Sequence, residues 1–336
     1  MKIAILAITD KAQELADMLA GRMEEGAVVM KCRGNTVAAI QQAWRQFDAL
    51  ICIMATGIVI RAIAPLVLDK KTDPAVLVVD QNGRFVIPVL SGHLGGANDL
   101  ALKVARHTGG QAVITTASDV SGHTALDLWI SAHRLQISNP GAMAPVMARL
   151  VNTGKLNIYS DCGLPELPPD LARIFERETA DIVITIKASG VEERQQDRIF
   201  LHPPALVAGI GCNRGTAAEM ISAAVQETCL QADIAQEAIF RIASIDIKKD
   251  EKGLVEFALQ AGVELRFFSA GQLNTVHGIE QSDVVKRATG AKGVCEPAAI
   301  LASGGGTLLV KKQKWKDVTT AIARVTWPWW EQGQGR

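Results

Sequence analysis

A short glycine-rich segment contains the residues best suited to acid–base chemistry. It reads Ser91-Gly-His-Leu-Gly-Gly-Ala-Asn98 and follows a predicted strand that ends near Leu90. Glycines let backbone N–H groups approach a ligand closely, and the helix predicted to start near Ala97 adds partial positive charge at its N-terminus. Histidine side chains titrate near neutral pH, so His93 could act as a general base or acid. The segment predicts a ligand site, and a structural turn with a surface histidine is the alternative.

Two further loops follow predicted strands. Ala55-Thr56-Gly57 precedes a helix with Arg61 one turn later, and Thr115-Thr-Ala-Ser-Asp119 precedes Val-Ser-Gly-His123. Ligands of open α/β sheets bind outside the carboxyl ends of the strands, so we expect both loops at the same sheet edge as the glycine-rich segment. Arg61 could hold a carboxylate through two hydrogen bonds, or pair with a structural aspartate. His123 is interpreted as a histidine at the start of a helix.

The carboxyl part contains a second strand-to-helix turn, Gly209-Ile-Gly-Cys-Asn-Arg-Gly-Thr216. It resembles a dinucleotide fingerprint, but Arg214 stands where glycine is needed, and the Gly-Lys-Ser/Thr of a P-loop is absent. What remains is an anion site at a helix N-terminus, with Arg214 beside it. Ser303-Gly-Gly-Gly-Thr307 is another glycine run. Glu296 opens the helix before it, where a charge that only favours the helix N-terminus is the preferred interpretation.

The elements that position these loops alternate between apolar strands and amphipathic helices. Thr9 or Asp10 is the expected cap of the first helix, and Asn35 caps the second. Asn82-Gly83 predicts a hairpin between strands 75–80 and 84–90. Nearly continuous apolar strands predict an α/β fold with largely parallel sheets and helices on both faces.

Proline-containing breaks predict three domains. Asn139-Pro-Gly141 and His202-Pro-Pro204 divide the chain into an amino-terminal α/β domain (1–138), a middle region (139–203) and a carboxyl-terminal α/β domain (204–336). The last domain is expected to end with a helix near 315–325. The tail from Trp327 onward is expected to fray, unless its tryptophans pack on the domain.

Composition excludes several classes of protein. Lys plus Arg and Asp plus Glu are both 35, so no overall field recruits nucleic acid or an acidic membrane. Residues 49–68 are long enough to span a bilayer. Arg61, Gly57 and Pro65 favour instead a buried strand, turn and helix. The six cysteines form no Cys-x-x-Cys pair, so we expect reduced thiols in a cytoplasmic protein and no protein metal site.

Several of these motifs together resemble the CbiG family over nearly the full length of the chain. Asn213 departs from the pattern, because a basic residue is expected there. The matching segments are Ala55-Thr-Gly-Ile-Val-Ile-Arg-Ala-Ile-Ala-Pro65, Lys71-Thr-Asp-Pro-Ala75, Ser91–Asn98, Val113-Ile-Thr-Thr-Ala-Ser-Asp119, Gly209–Thr216, Glu296-Pro-Ala-Ala299 and Gly304-Gly-Gly306.

The resemblance implies a reaction and a substrate. Members of the family open the ring-A δ-lactone of cobalt-precorrin-5A with water and release acetaldehyde, giving cobalt-precorrin-5B in anaerobic cobalamin biosynthesis. The cobalt arrives with the substrate, so no cofactor is implied. Neighbouring enzymes of the pathway are further candidate partners. A non-catalytic carrier of corrinoid intermediates and a nucleotide-binding α/β enzyme stay open as alternatives.

Lactone opening needs a base-activated water and donors aimed at the developing oxyanion. With the resemblance, His93 is the candidate base, Asp119 or Asp99 the candidate orienting carboxylate, and the N–H groups of Gly95 and Gly96 the candidate oxyanion donors. The residues expected to hold the carboxylate-fringed substrate are Thr56, Gly57, Arg61, Ser91, Gly95, Gly96, Asn98, Gly211, Arg214, Thr216, Glu296, Gly304 and Gly305.

Overall fold

The described residues form three β-sheets with helices packed on them. The computed structural model describes residues 1–23, 26–32, 34–69, 72–116, 122–188 and 197–331. The chain divides into two compact units, Met1–Trp129 and Ile130–Arg336. The first unit contains a six-stranded sheet, and the second contains two five-stranded sheets. The predicted α/β class with mostly parallel sheets is confirmed, whereas the two boundaries between the three predicted domains stay a prediction.

The described elements alternate as the sequence indicated. The strands are β1 (Ile3–Ala7), β2 (Ala27–Lys31), β3 (Ala49–Ile53), β4 (Ala75–Val79), β5 (Phe85–Leu90), β6 (Gln111–Ala112), β7 (Gln136–Ile137), β8 (Leu156–Ser160), β9 (Leu171–Arg173), β10 (Ile182–Ile184), β11 (Ile199–His202), β12 (Leu206–Cys212), β13 (Ile239–Ile245), β14 (Glu264–Phe268), β15 (Leu308–Lys314) and β16 (Val318–Arg324). The helices are α1 (Asp10–Arg22), α2 (Thr36–Gln46), α3 (Thr56–Ile63), α4 (Ala97–Thr108), α5 (Leu126–Ala132), α6 (Met143–Thr153), α7 (Ala218–Gln231), α8 (Lys252–Ala261), α9 (Ala270–Asn274), α10 (Asp283–Thr289) and α11 (Cys295–Ala302).

The sheet of the first unit is buried on both faces. Its strand order is β2-β1-β3-β4-β5-β6. Along β1, Ile3 and Ile5 belong to one core cluster, and Ala4 and Leu6 belong to the cluster on the other face. This two-sided burial explains why the strands are nearly continuous apolar runs. The side chains of Thr9 and Asn35 cap α1 and α2, as predicted.

The predicted hairpin reverses the chain direction inside this sheet. Strands β1 to β4 run parallel, but β5 is antiparallel to β4, and Leu90 pairs with Val76 at the start of β4. Strand β6 is parallel to β5. The carboxyl ends of β5 and β6 therefore lie at the edge where β3 and β4 begin.

The second unit begins with a smaller sheet, ordered β7-β11-β10-β8-β9. Strands β8 to β11 run parallel, and β7 is antiparallel to β11. Arg149 on α6 donates to Asp181 Oδ1, while Asp181 Oδ2 accepts from the Asn157 N–H at 2.7 Å. These bonds join α6 to the strands it covers.

The last sheet, ordered β14-β13-β12-β16-β15, corrects one prediction. The helix expected near 315–325 is wrong, because this segment forms a turn and the strand β16. The segment contains β-branched residues at Val318, Thr319, Thr320 and Ile322, which favour an extended backbone. Strand β16 is antiparallel to both β12 and β15 and lies between them, so it completes hydrogen bonds on both sides.

Trp329 is buried within a short 3-10 helix, so the expected fraying from Trp327 onward does not apply to it. Residues 49–68 form β3, α3 and the turn after it, as predicted. Among the described helices, none has both the length and the apolar character needed to cross a membrane.

Candidate functional site

The loop that carries His93 is held in its conformation largely by hydrogen bonds between its own backbone groups. Ser91 has a left-handed φ of 55°, which is uncommon for a residue other than glycine. Its Oγ donates to the Asp73 carbonyl at 3.0 Å, and its carbonyl accepts from the Ala97 N–H at 3.1 Å. The Asn98 N–H donates to the Gly92 carbonyl at 2.9 Å. Backbone strain of this kind clusters at functional sites, so the loop is a candidate site on geometry as well as composition.

The glycines of this loop are required by close contacts. A Cβ at Gly92 would lie 2.9 Å from Asn98 Oδ1, and a Cβ at Gly95 would lie 2.4 Å from Ser91 Cβ. Gly96 has a φ of 80°, and its N–H donates to the His93 carbonyl at 2.9 Å. Of the two predicted oxyanion donors, Gly96 is therefore already used by the loop. Gly95 remains the candidate.

His93 pairs with a carboxylate that the sequence did not single out. Its Nδ1 lies 3.2 Å from Asp127 on α5, and both side chains are mostly buried, at 12% and 18% exposure. A carboxylate at Nδ1 favours the tautomer with the proton on that nitrogen, which leaves Nε2 to act as base. Of the two predicted orienting residues, Asp99 is exposed in the first turn of α4 and Asp119 lies outside the described residues.

Asn98 connects the glycine-rich loop to the segment after β6. Its side chain is buried, and its Nδ2 donates to Thr116 Oγ1 at 3.1 Å. The strand ends of β5 and β6 therefore meet, as the sequence indicated. His123 is half-buried before α5, which agrees with its interpretation as a histidine at the start of a helix.

The structure does not bring Thr56, Gly57 and Arg61 to this edge. They follow β3, which runs opposite to β5, so they lie at the other edge of the sheet. The expectation of one shared edge is therefore wrong, because the hairpin turns the later strands around. Arg61 is exposed, and its Nη1 donates to the Gly57 carbonyl at 3.1 Å. Thr56 borders a mostly apolar cavity of about 760 Å³ at the ends of β1, β3 and β4.

In the second unit, a cavity of about 500 Å³ brings together three predicted residues: Gly211, Arg214 and Glu296. It lies at the carboxyl ends of β12 and β13 and at the start of α11. Three lysines that the sequence had not singled out, Lys248, Lys312 and Lys316, also line it. The last two lie on or beside β15, a segment whose basic residues gave no recognisable motif.

The glycine-rich turn before α7 already holds an anion. The Gly215 N–H donates to Glu251 Oε1 at 2.8 Å, and Lys248 Nζ lies 3.0 Å from Glu251 Oε2. Burial would raise the pKa of the Glu251 carboxyl, but hydrogen bonds from Lys248 and Gly215 outweigh it and hold this pKa below its usual value. The predicted anion site is thus filled by a carboxylate of the protein itself.

The other polar residues near this turn also have protein partners. Arg214 Nη1 lies 3.1 Å from Asp250 Oδ2, with both side chains exposed at the rim of the cavity. Glu296 is buried and accepts from the Lys312 backbone N–H at 3.0 Å, which ties α11 to β15. Thr216 Oγ1 donates to the Asn213 carbonyl at 2.9 Å. Arg214 remains a candidate for ligand contact because its pair is exposed and therefore weak.

The remaining predicted glycines have structural roles. Gly304 and Gly305 follow the carboxyl end of α11, with φ values of 75° and 85°, and they do not line the cavity at its other end. Their N–H groups donate to Leu301 and Ile300 at 3.1 and 2.8 Å, which closes the helix. A Cβ at Gly211 would lie 2.6 Å from Thr319 Oγ1, so this glycine is needed for packing as well as lining the cavity.

Thiols and metal-ligand groups add little to these sites. All six cysteines are free, and burial raises the pKa of Cys162 and Cys229 to about 12 and that of Cys295 to about 11. Such thiols stay protonated at neutral pH. In the described ranges, no group of three or more His, Cys, Asp or Glu residues is arranged to hold a metal ion.

Comparisons with known proteins give matches at both ends of the chain. The family model described as cobalamin synthesis G N-terminal matches residues 38–119, and the model described as cobalamin synthesis G C-terminus matches residues 206–323. A cobalt-precorrin-5A hydrolase from Priestia megaterium is 34% identical, covering 87% of this chain and 82% of that protein. A protein of the same description from Salmonella typhimurium is 33% identical, covering 91% and 93%. A protein described as CobE from Sinorhizobium is 31% identical over 35% of this chain and 79% of its own length.

Proposed function

The chain belongs to the cobalamin synthesis G family, and from this premise we propose that it is a cobalt-precorrin-5A hydrolase. The reaction adds water to the ring-A δ-lactone of the substrate and then releases acetaldehyde, giving cobalt-precorrin-5B. The protein acts in the cytoplasm, and its substrate brings the cobalt. The single observation that best supports a catalytic role is the His93–Asp127 pair on a strained, glycine-rich loop.

His93 is the base in the first step. Asp127 holds the proton on Nδ1, so Nε2 can take a proton from the attacking water. The hydroxide adds to the lactone carbonyl, and the Gly95 N–H is the proposed donor to the oxyanion that forms. Collapse of this intermediate breaks the bond to the ring oxygen, and this oxygen takes the proton from protonated His93. The products of this step are a carboxylate and a free carbinol.

The second step uses the same base. A base removes the carbinol O–H proton, a carbonyl forms, and the carbon–carbon bond to the macrocycle breaks. The conjugated macrocycle accepts the electron pair and is then protonated, and the two-carbon unit leaves as acetaldehyde. His93 serves both steps because protonated imidazole can return its proton before the next cycle.

Peripheral carboxylates of the substrate require cationic and N–H donors. Arg214 and the lysines of the cavity in the second unit supply cations. The Gly215 N–H already donates to the carboxylate of Glu251. This bond argues against a nucleotide phosphate at the Gly215 turn. This geometry favours the hydrolase over a nucleotide-binding enzyme.

Release of acetaldehyde distinguishes an enzyme from a carrier. Incubation with cobalt-precorrin-5A should release acetaldehyde in large excess over the protein, measured by coupled reduction of the aldehyde. Added chelator or nucleotide should leave the rate unchanged. Binding of the precursor without acetaldehyde over many equivalents would contradict the hydrolase proposal and support a corrinoid carrier.

A further inference from the structure

The cavity that Gly211, Arg214 and Glu296 line combines an aromatic side chain with two lysines that form no ion pair within the described part of the chain. Trp315 lines it and is held in place, because its Nε1 lies 3.2 Å from both Thr228 Oγ1 and Thr320 Oγ1. Its indole is half-buried and packs against the apolar core. An anchored indole of this kind offers a rigid surface to a flat conjugated ligand at low entropic cost.

Cations flank this tryptophan on the same β-hairpin. Lys312 precedes it on β15, and Lys316 follows it in the turn. Neither ammonium lies within ion-pair distance of a carboxylate in the described part of the chain, whereas Lys248 and Arg214 are paired with Glu251 and Asp250. The positive charge of Lys312 also acts on the thiol of Cys295, which lines the cavity.

Among the described residues, the carboxylates that line the cavity form no ion pair with either lysine. Glu296 accepts the Lys312 backbone N–H, and Asp317 Oδ1 accepts from Asn213 Nδ2 at 2.9 Å. Glu280 is exposed. Two ammonium groups without an ion-pair partner among the described residues thus lie beside Trp315, and such groups are suited to carboxylates of a ligand.

We propose that this cavity binds a carboxylate-bearing edge of the tetrapyrrole, with Lys312 and Lys316 as ligands of its carboxylates and Trp315 beneath its conjugated ring. This inference rests on the proposed function, which supplies the substrate class. A cavity of about 500 Å³ is of ordinary size for a ligand site. It takes one edge of the macrocycle, and the rest stays outside.

The test measures binding without turnover. The probes are cobyrinic acid, a cobalt corrinoid with free acetate and propionate carboxylates, and cobinamide, in which these groups are amides. Binding is followed by equilibrium dialysis with visible absorbance. The variant Lys312→Gln/Lys316→Gln is compared with Lys311→Gln/Lys314→Gln, which removes the same charge from exposed positions of the same strand that do not line the cavity.

The lining variant should bind cobyrinic acid at least ~10-fold more weakly than wild type, because charge-assisted hydrogen bonds to two carboxylates are lost. The control variant should bind as wild type does, and cobinamide binding should be equal in all three proteins. Equal weakening by both double variants would show a general field effect and overturn the inference. Unchanged cobyrinic acid binding by the lining variant would also overturn it.

The two proposals fail separately. If wild-type protein binds cobyrinic acid through these lysines yet releases no acetaldehyde from cobalt-precorrin-5A, the binding site stands and the hydrolase is contradicted. If acetaldehyde is released and the lining variant keeps the wild-type KM and cobyrinic acid affinity, the hydrolase stands and this site is contradicted.

Discussion

His93 Nδ1 lies 3.2 Å from Asp127 Oδ2, although 34 residues separate the two in the chain. The histidine comes from a loop at the end of β5, and the aspartate comes from the first turn of α5. Strand β6 ends at the same edge as β5, so the chain enters α5 beside the loop. The proposed base and the carboxylate proposed to position it thus come from separate elements, and each can be replaced alone.

Replacing His93 should separate folding from turnover. His93→Ala should fold normally and lose roughly 10²–10⁴-fold in kcat, the usual cost of removing a general acid–base group. His107→Ala on α4 is the control for loss of a histidine outside the loop. Assays of acetaldehyde release measure turnover, and thermal unfolding measures whether the variant folds. Near-normal turnover in a folded His93→Ala protein would end the assignment of His93 as base.

Replacing Asp127 should change the pH profile as well as the rate. Asp127→Asn removes a charge that stabilises protonated imidazole, so the acid limb of the kcat/KM profile should move to lower pH. Turnover should fall by no more than in His93→Ala, because Asp127 acts through the histidine. Asp99→Asn tests one of the two carboxylates that the sequence predicted for this role. An equal loss in Asp99→Asn, with an unchanged limb in Asp127→Asn, would reassign the positioning role.

The two predicted arginine ligands should affect binding more than chemistry. Arg61→Ala and Arg214→Ala should each raise KM while leaving kcat close to that of wild type, because each guanidinium is exposed and has a partner outside the His93 loop, the Gly57 carbonyl for Arg61 and Asp250 for Arg214. Arg45→Ala, another exposed arginine near a helix end, is the control. Steady-state kinetics measure the split. A fall confined to kcat would place that arginine at the reacting centre.

The last 132 residues should fold without the rest of the chain. A protein of residues 205–336 contains β12 to β16 and both apolar clusters that cover them, apart from the contact of Ile186 with one cluster. Urea unfolding followed by circular dichroism should be cooperative. Residues 130–336 provide the comparison. Cooperative unfolding of the longer protein alone would make the β7–β11 sheet part of the same folding unit.

Buried His202 should make stability depend on pH. Its Nδ1–H donates to the Thr185 carbonyl at 2.7 Å, and its Nε2 accepts from Ser138 Oγ. Burial lowers the pKa of His202 and outweighs the opposing effects of Thr185, Glu237 and Asp161. The unfolded chain, where histidine titrates near 6.5, therefore binds more protons than the folded protein below that pH. The free energy of unfolding should be level above about pH 6.5 and fall as the pH drops below it.

Urea unfolding at pH 7.5, 6.5 and 5.5 measures this slope. His202→Gln, which cannot titrate, should reduce the slope even if it lowers stability overall. His277→Gln, at an exposed position, should retain the wild-type slope. A wild-type slope in His202→Gln would assign the pH dependence to another group.

The local elements were predictable because their signals are local. The caps at Thr9 and Asn35 and the Asn82-Gly83 hairpin depend on neighbours a few residues away, and all three are confirmed. The final strand was missed because residues 315–325 contain apolar residues at spacings that suit a helix as well. Its β-branched residues and its pairing with β12 favour a strand over a helix.

The candidate sites were harder to predict, because their polar pairs form across long sequence distances. Glu251 reaches the Gly215 turn from 36 residues away, and Asp127 reaches His93 from 34. No short motif marks either carboxylate. A hairpin after β4 necessarily sends β5 back, so the loops after β3 and β5 could have been assigned to opposite edges from the sequence.

That reversal has an energetic consequence for the first unit. Thr56 and His93 lie at opposite edges of a sheet whose strand β3 has 5 residues, a length of roughly 17 Å. Residues so far apart without shared partners contribute additively, within about 0.3–0.5 kcal/mol. The interaction energy measured by a double-mutant cycle between the two positions should therefore be close to zero. With respect to stability, substitutions at one edge can therefore accumulate without compensating substitutions at the other.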